Sequence, residues 1–183
     1  MEYRRVTATG LTVSKLCLGT MTFGGQVGKE ESIRMTHFAL DEGVNFVDTA
    51  NVYQDGISEE IVAKALEGRR DSVILATKVG LTRHPDRLNS DGLNRRTVRR
   101  EVELSLSRLA TDYIDLYYLH TPNPDTPIEE TVDALDDLVG EGKIRYWGVS
   151  NFASWQLADA DWTAVNRHRA RPIMSQNVYN LLC

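Results

Sequence analysis

The chain has 183 residues, 42% of them hydrophobic and 26% charged, the make-up of one soluble domain with a real core. Its net charge of −5 argues against nucleic acid as the main partner, because phosphate binding needs a basic face. No apolar run approaches the roughly 20 residues of a membrane span, the start MEYRRVTATG lacks the apolar segment of a secretory signal, and the two cysteines, Cys17 and Cys183, form neither a disulfide framework nor a metal-ligand spacing.

The expectation is a single cytoplasmic domain over residues 1–183, with Cys17 as a small core residue. YRRVTATGLTVSKLCLGT predicts a short hairpin around Thr9-Gly10, leading into a first apolar run, KLCLGTM (15–21). ESIRMTHFALDEG follows with Ile33, His37 and Leu40 on one helical face and Gly43 as its stop. The second run is VNFVDT (44–49). SEEIVAKALEG then predicts a helix with Ser58 as N-cap and Glu59 and Glu60 in the first turn, where the helix dipole favours anions.

SVILATKVG (72–80) is the third run, followed by a long polar loop, GLTRHPDRLNSDGLNRR (80–96). TVRREVELSLSRL spaces Val98, Val102, Leu106 and Leu109 down one helical stripe; its arginines Arg95, Arg96, Arg99 and Arg100 read as a solvated face. After YIDLYYLH (113–120), TPIEETVDALDDLVGEG predicts a helix with Thr126 as N-cap, Pro127 at the first position and Glu129 at the third. IRYWGVSN (144–151), a less regular helix including WQLADA, and PIMSQNVYN (172–180) complete the chain. The runs lack clean alternation, as strands buried on both faces do, and strands alternating with helices imply right-handed crossovers and a parallel sheet.

Polar residues end nearly every run: Thr20, Asp48, Lys78, His120, Ser150 with Asn151, and Gln176 with Asn177. A parallel barrel gathers such ends on one face, where barrel enzymes place their chemistry. An open doubly wound sheet gathers some of them too, but GTMTFGG after the first run does not fit its G-x-G-x-x-G phosphate loop.

Asp48, Tyr53, Lys78 and His120 make chemical sense as a set. A phenol of pKa about 10 is a poor acid at neutral pH; an ammonium beside it favours the phenolate, and a carboxylate would hold that ammonium oriented. A histidine can share the proton or orient a substrate oxygen. Such a group delivers a proton to an oxygen gaining negative charge, as in carbonyl reduction by a hydride carrier. Taken singly, each has a plainer reading: Asp48 as a loop cap, Tyr53 as a half-buried aromatic, Lys78 as a solvated strand end, His120 as a turn residue. Trp147 either lines the barrel top or packs within its strand. A metal-dependent hydrolase built on Asp48 and His120 lacks enough clustered ligands, so no metal is expected.

These stretches resemble the aldo-keto reductases. GVNFVDTANVYQDGISEEIVAKAL is similar to that family's first signature, LATKVG to its lysine strand, LSRLATDYIDLYYLH to its histidine strand, GKIRYWGVSNF to its second signature and SQNVYNLL to the segment with a nicotinamide-facing glutamine. The resemblance implies a parallel (β/α)8 barrel, an N-terminal hairpin plugging its floor, and NADP(H) acting on a small-molecule carbonyl substrate. It implies Tyr53 as general acid, Lys78 lowering its pKa, Asp48 as the partner of Lys78, and His120 orienting the carbonyl. Ser150 and Asn151 would bind the carboxamide with Gln176 beside them, and Gly19, Thr20 and Met21 would lie close to the cofactor.

About six of eight β/α units are present, so the domain is expected to be incomplete at its C-terminus. The last two strands carry the family's phosphate contacts, and without them the first and sixth strands would have free edges open to self-association. The alternatives to a reductase are a cofactor-binding regulatory subunit of the potassium-channel β type and an inactive truncated remnant.

Overall fold

The computed structural model describes residues 1–7, 9–81 and 90–182; most of the polar loop after the third run therefore lies outside the described residues. The chain opens with an antiparallel hairpin, β1 (Tyr3–Arg5) and β2 (Thr12–Ser14), in which Arg4 faces Val13. Parallel β/α units follow: β3 (Leu18–Gly19), α1 (Lys29–Asp41), β4 (Phe46–Asp48), α2 (Ile57–Ala65), β5 (Ile74–Val79), α3 (Arg95–Leu109), β6 (Ile114–Leu119), α4 (Ile128–Gly140), β7 (Ile144–Ser150), α5 (Ser154–Asn166) and β8 (Pro172–Gln176). The six strands β3 to β8 pair in chain order, all parallel. Among the described residues no helix is long and apolar enough to cross a membrane.

Strand side chains alternate between two cores. Val47, Leu75, Val79, Tyr117, Leu119, Trp147 and Val149 face the helices and meet Val98, Val102, Leu109 and Leu135. Phe46, Ala76, Leu116 and Tyr118 face the concave side, with Tyr146 and Met174 packed against them. Val6 and Val13 of the hairpin join this second core, so the hairpin closes its floor. Trp147 packs within its strand: it is fully buried on the helix side, and its Nε1 donates to the carbonyl of Ala170 at 2.9 Å.

The expected helices form with two corrections at their starts, and a third correction falls at Cys17 before the first sheet strand. Ser58 does not cap α2; Gly56 does, in the left-handed region (φ 94°), and Ser58 lies inside the helix, fully buried. Pro127, extended at ψ 130°, takes the cap position of α4, which puts Thr126 one residue outside and Glu129 at the second helical position. Cys17 is exposed rather than in the core: it lies just before β3, which starts only at Leu18. The stripe Val98, Val102, Leu106 and Leu109 is buried as expected, and Arg95 and Arg99 on the opposite face form exposed ion pairs with Asp137 and Glu141 of the neighbouring helix region.

The pairing of β7 with β8 shifts register between Trp147 and Val149. Gly148 sits at that irregularity, where a Cβ would lie 2.5 Å from the carbonyl oxygen of Met174 and 2.9 Å from the ring of Tyr118. Backbone on one side and a packed ring on the other leave no room to yield. Gly148→Ala is therefore expected to destabilise the fold by about 1–3 kcal/mol through overpacking. Denaturant melts check this; an unchanged midpoint would mean that the strand pair relaxes freely.

Candidate active site

Alternation along each strand decides which polar ends meet. Asp48 follows the inward-facing Phe46 by two residues, Lys78 follows Ala76, His120 follows Tyr118, Ser150 follows Gly148, and Gln176 follows Met174. All five therefore fall on the concave face at the C-terminal ends of the strands.

Lys78 is the centre of this group. It is only 1% exposed, and its ammonium donates to Oδ2 of Asp48 at 2.5 Å, to the carbonyl of Thr49 at 2.9 Å and to Oη of Tyr53 at 3.2 Å. A lysine has three N–H donors, so each is used. Tyr53 and His120 stand edge to face, with ring centroids 5.9 Å apart and planes at 82°. Burial pushes the Asp48 carboxyl up, opposed by the Lys78 ammonium and by Gln176. Burial and the same ammonium push His120 down to about 4. Asp48 Oδ1 and His120 Nδ1 are buried without a hydrogen-bond partner.

The other expected residues border this cluster. Thr20 is buried, and its Oγ1 donates to the carbonyl of Asp48 at 3.1 Å. Gly19 pairs with Asp48 in register, and Met21, 62% exposed, stands just beyond the end of β3. Asn151, left-handed at φ 60°, donates from Nδ2 to the carbonyl of His120 at 2.9 Å and to Ser150 Oγ at 3.1 Å, while its backbone N–H reaches the carbonyl of Gln176 at 3.1 Å. Ser150 and Gln176 are register partners. The strand ends thus form one continuous rim.

The sequence matches the model of the aldo/keto reductase family over residues 15–182. The chain belongs to the aldo/keto reductase family. It is 47% identical over 163 residues to the aldo-keto reductase YhdN of Bacillus subtilis, covering 86% of this chain and 49% of that protein. It is 38% identical over 186 residues to a probable voltage-gated potassium channel subunit beta of Oryza sativa, covering 99% of this chain and 56% of that protein. Among solved structures it superposes on the aldo-keto reductase AKR11C1 of Bacillus halodurans, in its holo form, with a TM-score of 0.85 and 35% identity, covering 98% of this chain and 58% of that one. The chain thus spans about half to three-fifths of the length of these relatives, and its six-stranded parallel sheet with outer helices matches part of the (β/α)8 fold of the family's structures.

In this member of the family several residues that the sequence does not advertise hold the Tyr53 segment. Tyr53 opens a 3-10 turn, Tyr53–Gly56, in which Gln54 and Asp55 are left-handed at φ 48° and 55°. Side chains with a Cβ avoid that region, so the turn is strained. Ser58 Oγ donates to the carbonyl of Thr20 at 2.8 Å and lies 3.0 Å from Thr49 Oγ1. Asn51 Nδ2 donates to Glu101 of α3 at 2.9 Å. Glu59, fully buried, pairs with Arg108 at 2.5 Å. The sequence signal for these is weak: all the partners but Thr49 lie 38 or more residues away, and Glu59 reads equally as a surface acid at a helix start. A separate groove of about 320 Å³ lies among the starts of α4 and α5, lined by Pro122, Pro124, Phe152 and Trp155.

Two outcomes follow from the charges. Lys78→Met leaves the buried Asp48 carboxylate without its cation, a loss of about 3–5 kcal/mol of stability for breaking one side of a buried pair. Chemical denaturation measures it, and a variant as stable as the parent would mean that Asp48 is solvated. For His120, burial and Lys78 both oppose the imidazolium, so NMR titration is expected to give a midpoint near 4 rather than 6.5. Because the unfolded chain takes up that proton first, the stability dependent on neutral His120 is present above about pH 6.5 and is lost as pH falls towards about 4. A midpoint at or above 6.5 would contradict the burial of the ring.

Proposed function

We propose that residues 1–183 form a domain carrying the reaction centre of an NADPH-dependent oxidoreductase, one that reduces an aldehyde or ketone to an alcohol. The observation that carries this reading is the contact of Tyr53 Oη with Lys78 Nζ at 3.2 Å, with Lys78 tied to Asp48 at 2.5 Å. Because Lys78 donates to the phenol oxygen, the phenol's own proton points elsewhere and is free for a substrate. Tyr53 gives that proton to the carbonyl oxygen as negative charge develops there. The ammonium of Lys78 then steadies the phenolate that remains, and Asp48 keeps the ammonium in place.

His120, held neutral by its surroundings, presents one N–H and one bare nitrogen. It orients the carbonyl oxygen beside Tyr53. The orphaned Nδ1 of His120 and the amides and hydroxyl of Asn151, Gln176 and Ser150 fit a bound carboxamide, which both donates and accepts. Ser150, Asn151 and Gln176 would hold the nicotinamide, with Gly19, Thr20 and Met21 along its flank. When bound, the nicotinamide supplies the hydride to the carbonyl carbon. The choice of NADPH rests on family likeness.

The test is loss of NADPH fluorescence by the full-length protein with 4-nitrobenzaldehyde. Tyr53→Phe is expected to lower kcat by about 10²–10⁴-fold while leaving NADPH affinity unchanged. Retention of most of the parent kcat would sink the assignment of Tyr53. The likeness to the potassium-channel β protein supports a second reading, a regulatory subunit that binds the same cofactor. Slow turnover together with stable capture of a membrane complex would favour it over the first.

A further inference from the structure

Lys78 and Tyr53 are carried by different elements, and the backbone ties them together loosely. Lys78 is fixed by the strand ladder, where it lies opposite Tyr118. The segment bearing Tyr53 meets β5 through a long bond from the Asn51 amide to the Lys78 carbonyl at 3.4 Å. It then passes through Gln54, Asp55 and Gly56, all left-handed. A strained turn with so little ladder support needs an outside constraint to hold one geometry.

That constraint lies on the far side of the strands, under the helices. The Arg108 side chain of α3 crosses Gly56: a Cβ on Gly56 would come within 2.7 Å of Arg108 Cδ. Its Nε then donates to Glu59 Oε2 at 2.5 Å, in the first turn of α2. The other carboxylate oxygen of Glu59 accepts from Thr77 Oγ1 at 2.6 Å. Thr77 is the residue before Lys78 and faces the helices, so an unbroken line of contacts runs from the end of the Tyr53 turn to the neighbour of Lys78. Glu59 and Thr77 are fully buried and Arg108 is mostly so, which keeps water from competing for these bonds.

We infer that Arg108, Glu59 and Thr77 form a positioning clamp that sets the gap between Tyr53 and Lys78. None of the three touches the concave face. The clamp acts through the turn on one side and the strand on the other. It requires glycine at position 56, where the arginine stem passes, and it gives the buried Glu59–Arg108 pair a purpose besides joining two helices. As a statement about geometry it stands on its own; as a statement about turnover it rests on the proposed reductase reading.

The test uses Thr77→Val in the full-length protein. This isosteric change removes the hydroxyl but keeps the charge pair, and Thr77→Ser restores the hydroxyl. A crystal structure of the valine variant is expected to show the Tyr53–Lys78 gap widened from 3.2 Å to beyond about 3.5 Å, the limit of a hydrogen bond. Steady-state kinetics are expected to show kcat down by roughly 10- to 100-fold, as for a small misplacement at a reacting group. KM for NADPH and carbonyl should stay within about twofold, and Thr77→Ser should recover most of the loss. A gap unchanged at 3.2 Å overturns the clamp whatever the turnover. If the unmodified protein reduces no carbonyl, the reductase reading fails, and the crystallographic gap alone judges the clamp. If Thr77→Val does not fold, Arg108→Lys undergoes the same comparison: it keeps the charge but lacks the planar head that reaches Glu59 past Gly56.

Discussion

A fully buried ammonium is the constraint around which this structure is arranged. Desolvating a lysine is tolerable only when every donor finds an acceptor and an opposite charge stands close. Lys78 meets those conditions with three acceptors of different kinds: a carboxylate on the next strand, a main-chain carbonyl and a phenol. Each comes from β4 or the segment after it, so the charge can be buried only if that segment turns back over the strand end. The left-handed residues after Tyr53 are the backbone's answer to that requirement.

The two faces of the sheet have opposite tasks. The concave face holds charge and two unpartnered polar atoms, Asp48 Oδ1 and His120 Nδ1, and is stable there only because the rest of the fold over-determines it. The helix face supplies that excess through close-packed apolar contacts and a few buried polar ties. The division follows from the period of a strand: Thr77 and Lys78 are adjacent in sequence and point to opposite sides.

Much of this is written locally in the sequence. Short β-rich runs between amphipathic segments give the order of elements, and the polar residue closing each run gives the face on which the site lies. What is not local is harder to read. Ser58 looks like a helix cap because serine before an acidic pair usually is one. Its true partners, Thr20 and Thr49, lie on strand ends, one of them 38 residues away. Glu59 looks like a dipole-facing surface acid until α3 delivers Arg108 to it. Cys17 looks like core because its run is apolar, but the strand in that run begins only at Leu18, which leaves Cys17 outside it and exposed. Thr126 and Pro127 differ from expectation by a single position, the scale on which cap geometry rather than residue type decides a helix start.

The chain-order pairing of the strands has a consequence for how the molecule is assembled. Each strand from β4 onward lies beside the one made before it, so among the described residues no contact in the sheet waits for a distant segment. As the polypeptide leaves the ribosome, both partners of the Lys78–Asp48 ion pair are out once β5 is made. His120, Asn151 and Gln176 lie on successive later strands, and Asn151 bonds to both of the others through their carbonyls. The acceptors of the Lys78 ammonium thus all precede it in the chain, whereas His120, Asn151 and Gln176 are made only after it.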